Sequence, residues 1–419
     1  MTKVCILGMG FVGLTLGAVL AEHQHEIIGV DTNEAIVEKL RKNKSHFHEE
    51  GLDELLEKNK ERISFYKEIP KKADVYIISV GTPLDSEKKV RMDYIQSAAK
   101  MISEHLEGKE LIILRSTVKI GTSREIIKPI LDKTGKEYYL AFCPERTIEG
   151  KAVKELTELP QIIGGINSKS TEKAEEFFRT ITKEIIKLDT IEEAEMVKLL
   201  NNSYRDLTFA FANEAAIICN NLGVDAGKVI KAANQKYARS NIPMPGFVGG
   251  LCLTKDSHIL AQSAIDYPLK MKLVELSRKV NEQLPLEISK RVRKMISKDN
   301  IIFFSGLAFK GRPETDDTRN SPSIDLIDDL KKNGFTKIYC HDFAVKSEEI
   351  EKLELAAITF EEGLKKANCI IIGNNNTKYS TPEIQKLVDS IEFKKIIFDP
   401  WRNFEEKLKN KKNIDYETI

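Results

Sequence analysis

Short apolar, β-branched runs alternate along the chain with stretches whose apolar residues recur at helical spacing. Val4–Leu7 is followed by a helical stretch from about Gly13 to His23, and Ile27–Val30 by another around Asn33–Lys42. Further apolar runs stand at Val75–Val80, Leu111–Leu114, Tyr138–Phe142 and Gln161–Ile163. Uniformly apolar strands separated by helices are what a parallel sheet covered on both faces requires. A first α/β domain is therefore predicted over residues 1–190.

From Thr190 the pattern changes. Ala194, Val197, Leu200, Leu207, Phe211 and Ala215 recur three, four or seven apart, the spacing of one face of a long helix. A loop is predicted over Arg239–Asp256 and another helix from about Asp266 to Ser297. Residues 191–298 thus read as a helical connector and dimerisation domain. Strand signals return at Ile301–Gly306, Lys337–Cys340, Ala357–Thr359, Cys369–Gly373 and Lys395–Phe398, alternating with helical segments such as Pro322–Asn333. A second α/β domain is predicted over 299–419. Its lysine-rich end, Lys407 to Lys412, reads as a solvated helix face. No short internal repeat is visible.

Charge changes this picture little. The 65 Lys+Arg balance 64 Asp+Glu to a formal +1, which gives no electrostatic reason to expect nucleic acid or an anionic membrane as partner. Met1–Gly8 reaches an apolar strand within a few residues, without the charged and apolar regions of a signal peptide, and no apolar run is long enough to span a bilayer. The six cysteines are dispersed without a C-x-x-C pair, as expected for reduced thiols in the cytoplasm. His46-Phe47-His48 is a close histidine pair, but with no third ligand nearby no metal is expected.

The run Gly8-Met9-Gly10-Phe11-Val12-Gly13 follows a strand and opens a helix, the context that makes a G-x-G-x-x-G match informative. Gly8 allows a tight turn, Gly10 admits a pyrophosphate close to the backbone, and Gly13 lets helix pack on strand. Phe11 and Val12 supply amides at the helix N-terminus. Asp31 ends the second strand, where a carboxylate accepts hydrogen bonds from an adenosine ribose and repels a 2′-phosphate, so NAD is expected rather than NADP. Gly81-Thr82-Pro83 and Arg115-Ser116-Thr117 follow strands at the edge where ligands of such sheets bind.

Gly249-Gly250-Leu251-Cys252-Leu253-Thr254-Lys255-Asp256 places one cysteine on a glycine-rich turn with a lysine and a carboxylate close by. A thiolate needs a positive neighbourhood. Beside a hydride acceptor it can capture an aldehyde as a thiohemiacetal, itself oxidisable, so two hydride transfers become possible at one site. Cys5, Cys143, Cys219, Cys340 and Cys369 read as small structural residues. Lys198 and Asn202, four apart, share a helix face.

Phe142-Cys143-Pro144-Glu145-Arg146, Glu195-Met196-Val197-Lys198 with Asn201-Asn202, the Cys252 run, Gly306-Leu307-Ala308-Phe309-Lys310 and Asp316-Asp317-Thr318-Arg319-Asn320-Ser321-Pro322 together resemble the UDP-glucose/GDP-mannose dehydrogenase family, in the family's order over nearly the whole chain. The resemblance implies two Rossmann-like doubly wound α/β domains joined by a long-helix connector, and NAD-dependent four-electron oxidation of a nucleotide sugar's 6-hydroxyl to a uronate. It implies Cys252 as nucleophile, Lys198 and Asn202 as stabilisers of oxyanions, and Asp256 as the carboxylate that works with lysine and an ordered water. Thr117 and Glu145 match positions that hold this water or act as base in thioester hydrolysis. Glu145, Arg146, Lys198, Asn202, Gly249 and Lys310 are implied substrate contacts. Arg319 and Thr117 are implied on the cofactor side, and Arg239 matches an arginine that reaches the sugar from the other subunit of a homodimer or higher oligomer.

Two departures from the family pattern stand out: the Asn241–Val248 loop departs from the usual glycine and aromatic pattern, and Thr254 stands where proline is usual. Pro144-Glu145-Arg146 resembles enzymes of UDP-N-acetylhexosamines, N-acetylmannosamine in particular, whereas Lys255-Asp256 keeps the ending of the UDP-glucose and GDP-mannose branches. A UDP-glucose 6-dehydrogenase, a two-electron hydroxyacid-type dehydrogenase and a noncatalytic NAD-sensing protein are the alternative readings.

Overall fold

The computed structural model describes residues 1–265 and 271–419. These divide into two compact units, one of Met1–Asn201 with the described part of His258–Lys270, the other of Asn202–Ser257 with Met271–Ile419.

In the first unit, β1 (Lys3–Leu7), β2 (Glu26–Val30), β3 (Ile63–Tyr66), β4 (Val75–Ile78), β5 (Glu110–Leu114), β6 (Tyr138–Phe142), β7 (Gln161–Gly165) and β8 (Ile185–Leu188) form one sheet in the order β3-β2-β1-β4-β5-β6-β7-β8. Its neighbours run parallel except β6 and β7. Alternation along each strand feeds two cores: Val4 and Ile6 pack on one face, Cys5 and Leu7 on the other. The helix Asp93–Ser103 covers its face with Ile95, Ala98, Ala99 and Ile102, the i, i+3, i+4, i+7 stripe. Strand order reverses between β1 and β4, which opens a crevice at their carboxyl ends.

The second unit contains β9 (Ile302–Ser305), β10 (Ile338–His341), β11 (Ala356–Ala357), β12 (Cys369–Ile372), β13 (Lys395–Phe398) and β14 (Ile414–Glu417), all parallel, in the order β11-β10-β9-β12-β13-β14. That is the order of the first six strands of the other sheet. Phe304 and Ile371 enter one core with Leu284, Ile288 and Val292 of the helix Lys272–Met295, while Phe303 and Ile370 enter the other.

The architecture is thus α/β, with two Rossmann-like parallel sheets joined through a helical region that includes the 31-residue helix Ile191–Asn221. A turn device recurs at the head of each sheet. Gly8 after β1 has φ +93° and Gly306 after β9 has φ +105°. The carboxylate ending the next strand then accepts the following amide: Asp31 from Met9 N at 2.9 Å, Asp342 from Leu307 N at 2.7 Å.

Several expectations need correction. The loop expected to run to Asp256 stops at Cys252, whose carbonyl accepts Lys255 N and Asp256 N and so starts the helix Leu253–Ser263. The strand expected over Ala357–Thr359 ends at Ala357, because Thr359 caps the helix Phe360–Lys366 in a reciprocal capping box with Glu362. Strands β3, β8 and β14 are short and polar enough to escape the apolar-run signal. The lysine-rich end is a helix only over Glu405–Leu408, and its lysines pair outward, Lys407 with Asp389 and Lys409 with Asp225. The helix expected from Asp266 is observed from Lys272; its expected start lies outside the described residues.

Asp342 is 7% exposed and accepts backbone amides of Leu307, Ala308, Ala344 and Val345. Asp342→Ala strands these donors and is expected to cost about 2–4 kcal/mol. The urea midpoint followed through Trp401, the only tryptophan, measures it.

Candidate active site

In the first unit the glycine-rich turn is shaped by what surrounds it. A Cβ on Gly8 would lie 2.8 Å from Val80 N, and one on Gly13 would strike the Gly8 carbonyl. Gly10 faces open space, with nothing within 4 Å of the Cβ it lacks. Gly10 caps the helix Phe11–Glu22 without a side-chain bond, and the first turn carries no acidic residue. Amides of Phe11 and Val12 at such a helix end have no intrahelical acceptor and favour an anion. Asp31 is half-buried, with its carboxylate on Met9 N and Asn33 N. An uncapped helix end, an open glycine and a carboxylate at the tip of β2 fit a dinucleotide with an unphosphorylated ribose.

The segments after β4 and β5 are tied together: Thr82 Oγ1 donates to Thr117 O at 2.6 Å and Ser116 Oγ to Val80 O at 2.7 Å. Gly81 and Pro83 beside them are exposed, while Thr117 is half-buried. Glu145, after β6, is 5% exposed and held from all sides. Arg115 reaches its Oε2 through Nε at 3.2 Å and Nη2 at 2.5 Å, and Arg146 N and Thr147 N donate to its Oε1. Burial would raise its pKa, but the Arg115 guanidinium, the Thr147 amide and the charge of Lys198 hold it below the usual carboxylate range. A carboxylate so held is a weak base. Arg146 turns its own guanidinium to the Pro160 carbonyl.

Lys198, half-buried, sits one turn beyond Glu195 on the long helix. Glu195 is buried and accepts Gly121 N at 2.6 Å and Ser123 N at 2.9 Å; burial outweighs these bonds and pushes its carboxyl up to about 7. This carboxylate anchors the helix to the segment that follows Thr117.

In the second unit the Cys252 turn is locked by buried polar groups. Arg278, 2% exposed, donates to the carbonyls of Val248 and Leu253 on either side of the turn and pairs with Asp206 at 2.7 Å. Gly250, at φ +83°, has its missing Cβ 2.6 Å from the Phe309 ring, and that of Gly249 would lie 2.6 Å from Asn320 O. This packing by itself accounts for both glycines. Thr254 accepts from Asn320 Nδ2 at 3.0 Å and donates to Gly250 O at 2.7 Å, so the residue in the proline position stitches the turn instead.

Cys252 is exposed, whereas Cys5, Cys143, Cys340 and Cys369 are buried with thiols pushed up to about 12 by burial. Cys219 is half-buried. The thiol-bearing residue stands at the head of an eleven-residue helix, an end that favours negative charge. Asp256 is fully buried and accepts from Asn202 Nδ2 at 2.6 Å on Oδ2; its Oδ1 finds no hydrogen-bond partner among the described residues, with Lys255 Nζ 3.8 Å away.

Lys310 lies over the Phe309 ring, and Arg319, exposed, forks onto Asp317. Arg239 is also exposed and stacks on Tyr237, and none of the described contacts ties it to the Cys252 turn. Arg278 carried no sequence signal, and Arg115 and Glu195 stood in segments the sequence singled out without any role of their own, because an arginine or glutamate at such positions reads as solvated.

A dinucleotide turn at the switch point of one doubly wound sheet, with a second such sheet in the same chain, defines a dinucleotide-binding α/β protein. Three models of one family match in succession: its NAD-binding domain over residues 2–182, its central domain over 192–283 and its UDP-binding domain over 304–406. The chain belongs to the UDP-glucose/GDP-mannose dehydrogenase family and is an NAD-dependent nucleotide-sugar dehydrogenase.

It is 33% identical to the UDP-N-acetyl-D-mannosamine dehydrogenase of Methanocaldococcus jannaschii over 100% of this chain and 92% of that protein. To the enzyme of the same name from Campylobacter jejuni it is 31% identical, over 92% and 98% of the two chains. Among solved structures, UDP-D-ManNAc dehydrogenase from Pyrococcus horikoshii superposes with a TM-score of 0.87 at 27% identity, over 100% of this chain and 99% of that one.

Arg115→Met leaves the Glu145 carboxylate buried without its cation, and is expected to cost about 3–5 kcal/mol at pH 7. Because the pKa of Glu145 is lowered in the fold, its stabilisation is present above the ordinary carboxyl range and lost as pH falls. The variant's deficit should therefore shrink toward pH 4, as read by denaturation followed with circular dichroism.

Proposed function

We propose that this enzyme oxidises the 6-hydroxyl of a UDP-N-acetylhexosamine, with UDP-N-acetylmannosamine as the leading substrate, to the uronate in two successive hydride transfers. The observation that carries the reading is the exposed Cys252 at a helix head, in contrast to the thiols of Cys5, Cys143, Cys340 and Cys369 buried in the cores. The choice of sugar rests on relatives bearing the UDP-N-acetyl-D-mannosamine dehydrogenase name and on Pro144-Glu145-Arg146.

When bound, NAD accepts hydride at each of the two oxidations, so two NAD are consumed per sugar. In the first step the 6-hydroxyl loses its proton to a base and its hydride from C6, giving the aldehyde. Of the two candidate carboxylates, Asp256 suits the proton better, since one of its oxygens has no hydrogen-bond partner among the described residues whereas those of Glu145 are engaged. The Cys252 thiolate then adds to the aldehyde carbon, and the oxygen takes a proton to give a thiohemiacetal. Loss of that proton and a second hydride leaves the thioester. Water attacks the carbonyl and the carbon–sulfur bond breaks, releasing uronate and regenerating the thiol.

Lys198 and Asn202 would stabilise the negative oxygen in each tetrahedral or alkoxide state. Thr117 and Glu145 would hold the hydrolytic water rather than deprotonate it. Lys310, Arg146 and Gly249 are assigned to the sugar nucleotide and Arg319 to the cofactor, with Arg239 acting across a dimer. We place the enzyme in the cytoplasm, the reducing compartment that suits its unbridged cysteines.

The dimer is proposed through the long helix, whose exposed Leu200, Tyr204, Phe211 and Ile218 are spaced four or seven apart on one stripe. Phe211, 58% exposed, lies at its middle.

Two moles of NADH per mole of sugar are expected, and Cys252→Ser should form no uronate above background. A single NADH per sugar would instead mean a two-electron dehydrogenase. Steady-state kcat/KM on UDP-N-acetylmannosamine should exceed that on UDP-N-acetylglucosamine, UDP-glucose and GDP-mannose by at least about tenfold, roughly 1.4 kcal/mol of transition-state discrimination. Phe211→Glu should halve the mass seen by light scattering.

A further inference from the structure

The segment Ser45–Gly51 lies outside every role assigned so far, yet it touches the dinucleotide turn directly. His46 Nε2 is 2.8 Å from the Met9 carbonyl oxygen. A carbonyl only accepts, so this nitrogen carries the proton and donates. The Phe47 ring lies 5.5 Å from that of Phe11, the first residue of the helix that opens at the turn.

The segment is itself held at both ends. Ser45 N donates to Asp53 and its hydroxyl to Phe47 O, while the buried Glu49 carboxylate accepts Gly150 N at 2.6 Å and Ala152 N at 2.7 Å. Gly51, at φ +77°, then starts the helix Leu52–Lys58.

The Met9 carbonyl belongs to the peptide whose other half is the Gly10 amide. In a planar trans peptide C=O and N–H point in opposite directions, so fixing one aims the other. Asp31 already holds the Met9 amide. With His46 on the carbonyl, both polar groups of Met9 are clamped and the Gly10 amide is aimed away from the imidazole, at a residue whose missing side chain leaves open space. Without the imidazole, the Met9–Gly10 peptide could rotate and present its carbonyl oxygen to the anion.

We infer that His46 is a positioning residue for NAD: braced by Phe47 and Glu49, it orients the Met9–Gly10 peptide so that its amide faces the dinucleotide pyrophosphate.

Isothermal titration calorimetry of the full-length protein with NAD, ADP-ribose and UDP tests this. His46→Ala should weaken NAD and ADP-ribose together by roughly five- to tenfold, the worth of one well-placed hydrogen bond. UDP affinity should not change. His46→Gln, which keeps a donor, should recover most of the loss. In turnover, KM for NAD should rise while kcat at saturating NAD is retained. His46→Phe, which fills the volume without a donor, repeats the comparison should the alanine variant fold poorly. NAD affinity within twofold of wild type in both donor-free variants overturns the inference. So does a parallel loss of UDP affinity, or a glutamine variant as weak as alanine.

Discussion

A carboxylate at the end of a second strand, reaching back to the amide that follows a left-handed glycine, is the constraint on which both sheets depend. In each, the glycine leaves no room for a side chain against the loop after the fourth strand in sequence: Gly8 against Ser79 and Val80, Gly306 against Asn374. The carboxylate then fixes the direction in which the chain leaves. The two turns diverge in what they leave unsatisfied. Asp342 takes both Leu307 N and Ala308 N, and Asn374 donates to the Ala308 carbonyl. Asp31 takes only Met9 N of its turn, and the residue matching Ala308 is the open Gly10. One turn is closed upon itself, and the other retains donors for a phosphate.

The segments around Glu145 and Cys252 are irregular backbone, and buried arginines fix them in place. Arg115 fixes Glu145 and also donates to the Cys143 carbonyl and to Gln161, while Arg278 fixes Val248 and Leu253 around the Cys252 turn. A guanidinium suits this task because its planar fork holds several acceptors at once in a fixed geometry. The desolvation it suffers is offset only where a carboxylate stands beside it, and each has one, Glu145 and Asp206 respectively.

The parts of this arrangement that were legible beforehand are those where residue type and spacing coincide with a local backbone demand. The Gly8–Gly13 turn with Asp31 was one, and the distinct cysteine among six was another. What escaped depends on contacts between residues far apart in sequence. Arg278 sits on a helix rich in charge, and nothing local distinguishes it from its solvated neighbours. The shared strand order of the two sheets was hidden because Gly306-Leu307-Ala308 lacks the second glycine, so no repeat shows in the letters. The helix start at Leu253 was missed since Cys252 is a poor capping residue by type, and the turn is instead stabilised by Thr254, Asn320 and Arg278.

The long helix shows how far function can invert ordinary amphipathicity. It buries polar residues and small ones: Glu195, Asn202, Asp206 and Asn213 stand among Ala194, Ala210, Ala212 and Ala216. Ile191 and Leu199 are buried too, but the large apolar residues Leu200, Tyr204, Phe211 and Ile218 are exposed. Burial of the larger polar side chains is tolerable only if they are answered, and they are: Glu195 by two amides, Asn202 by Asp256, Asp206 by Arg278 and Asn281, and Asn213 by the Gly246 backbone. The small residues leave space for those partners. An exposed apolar stripe on the opposite side has no such internal answer, and water is a poor partner for it. A second copy of the same helix would supply one, and the face that carries Asn202 and Asp206 would then be pressed toward its partners from behind.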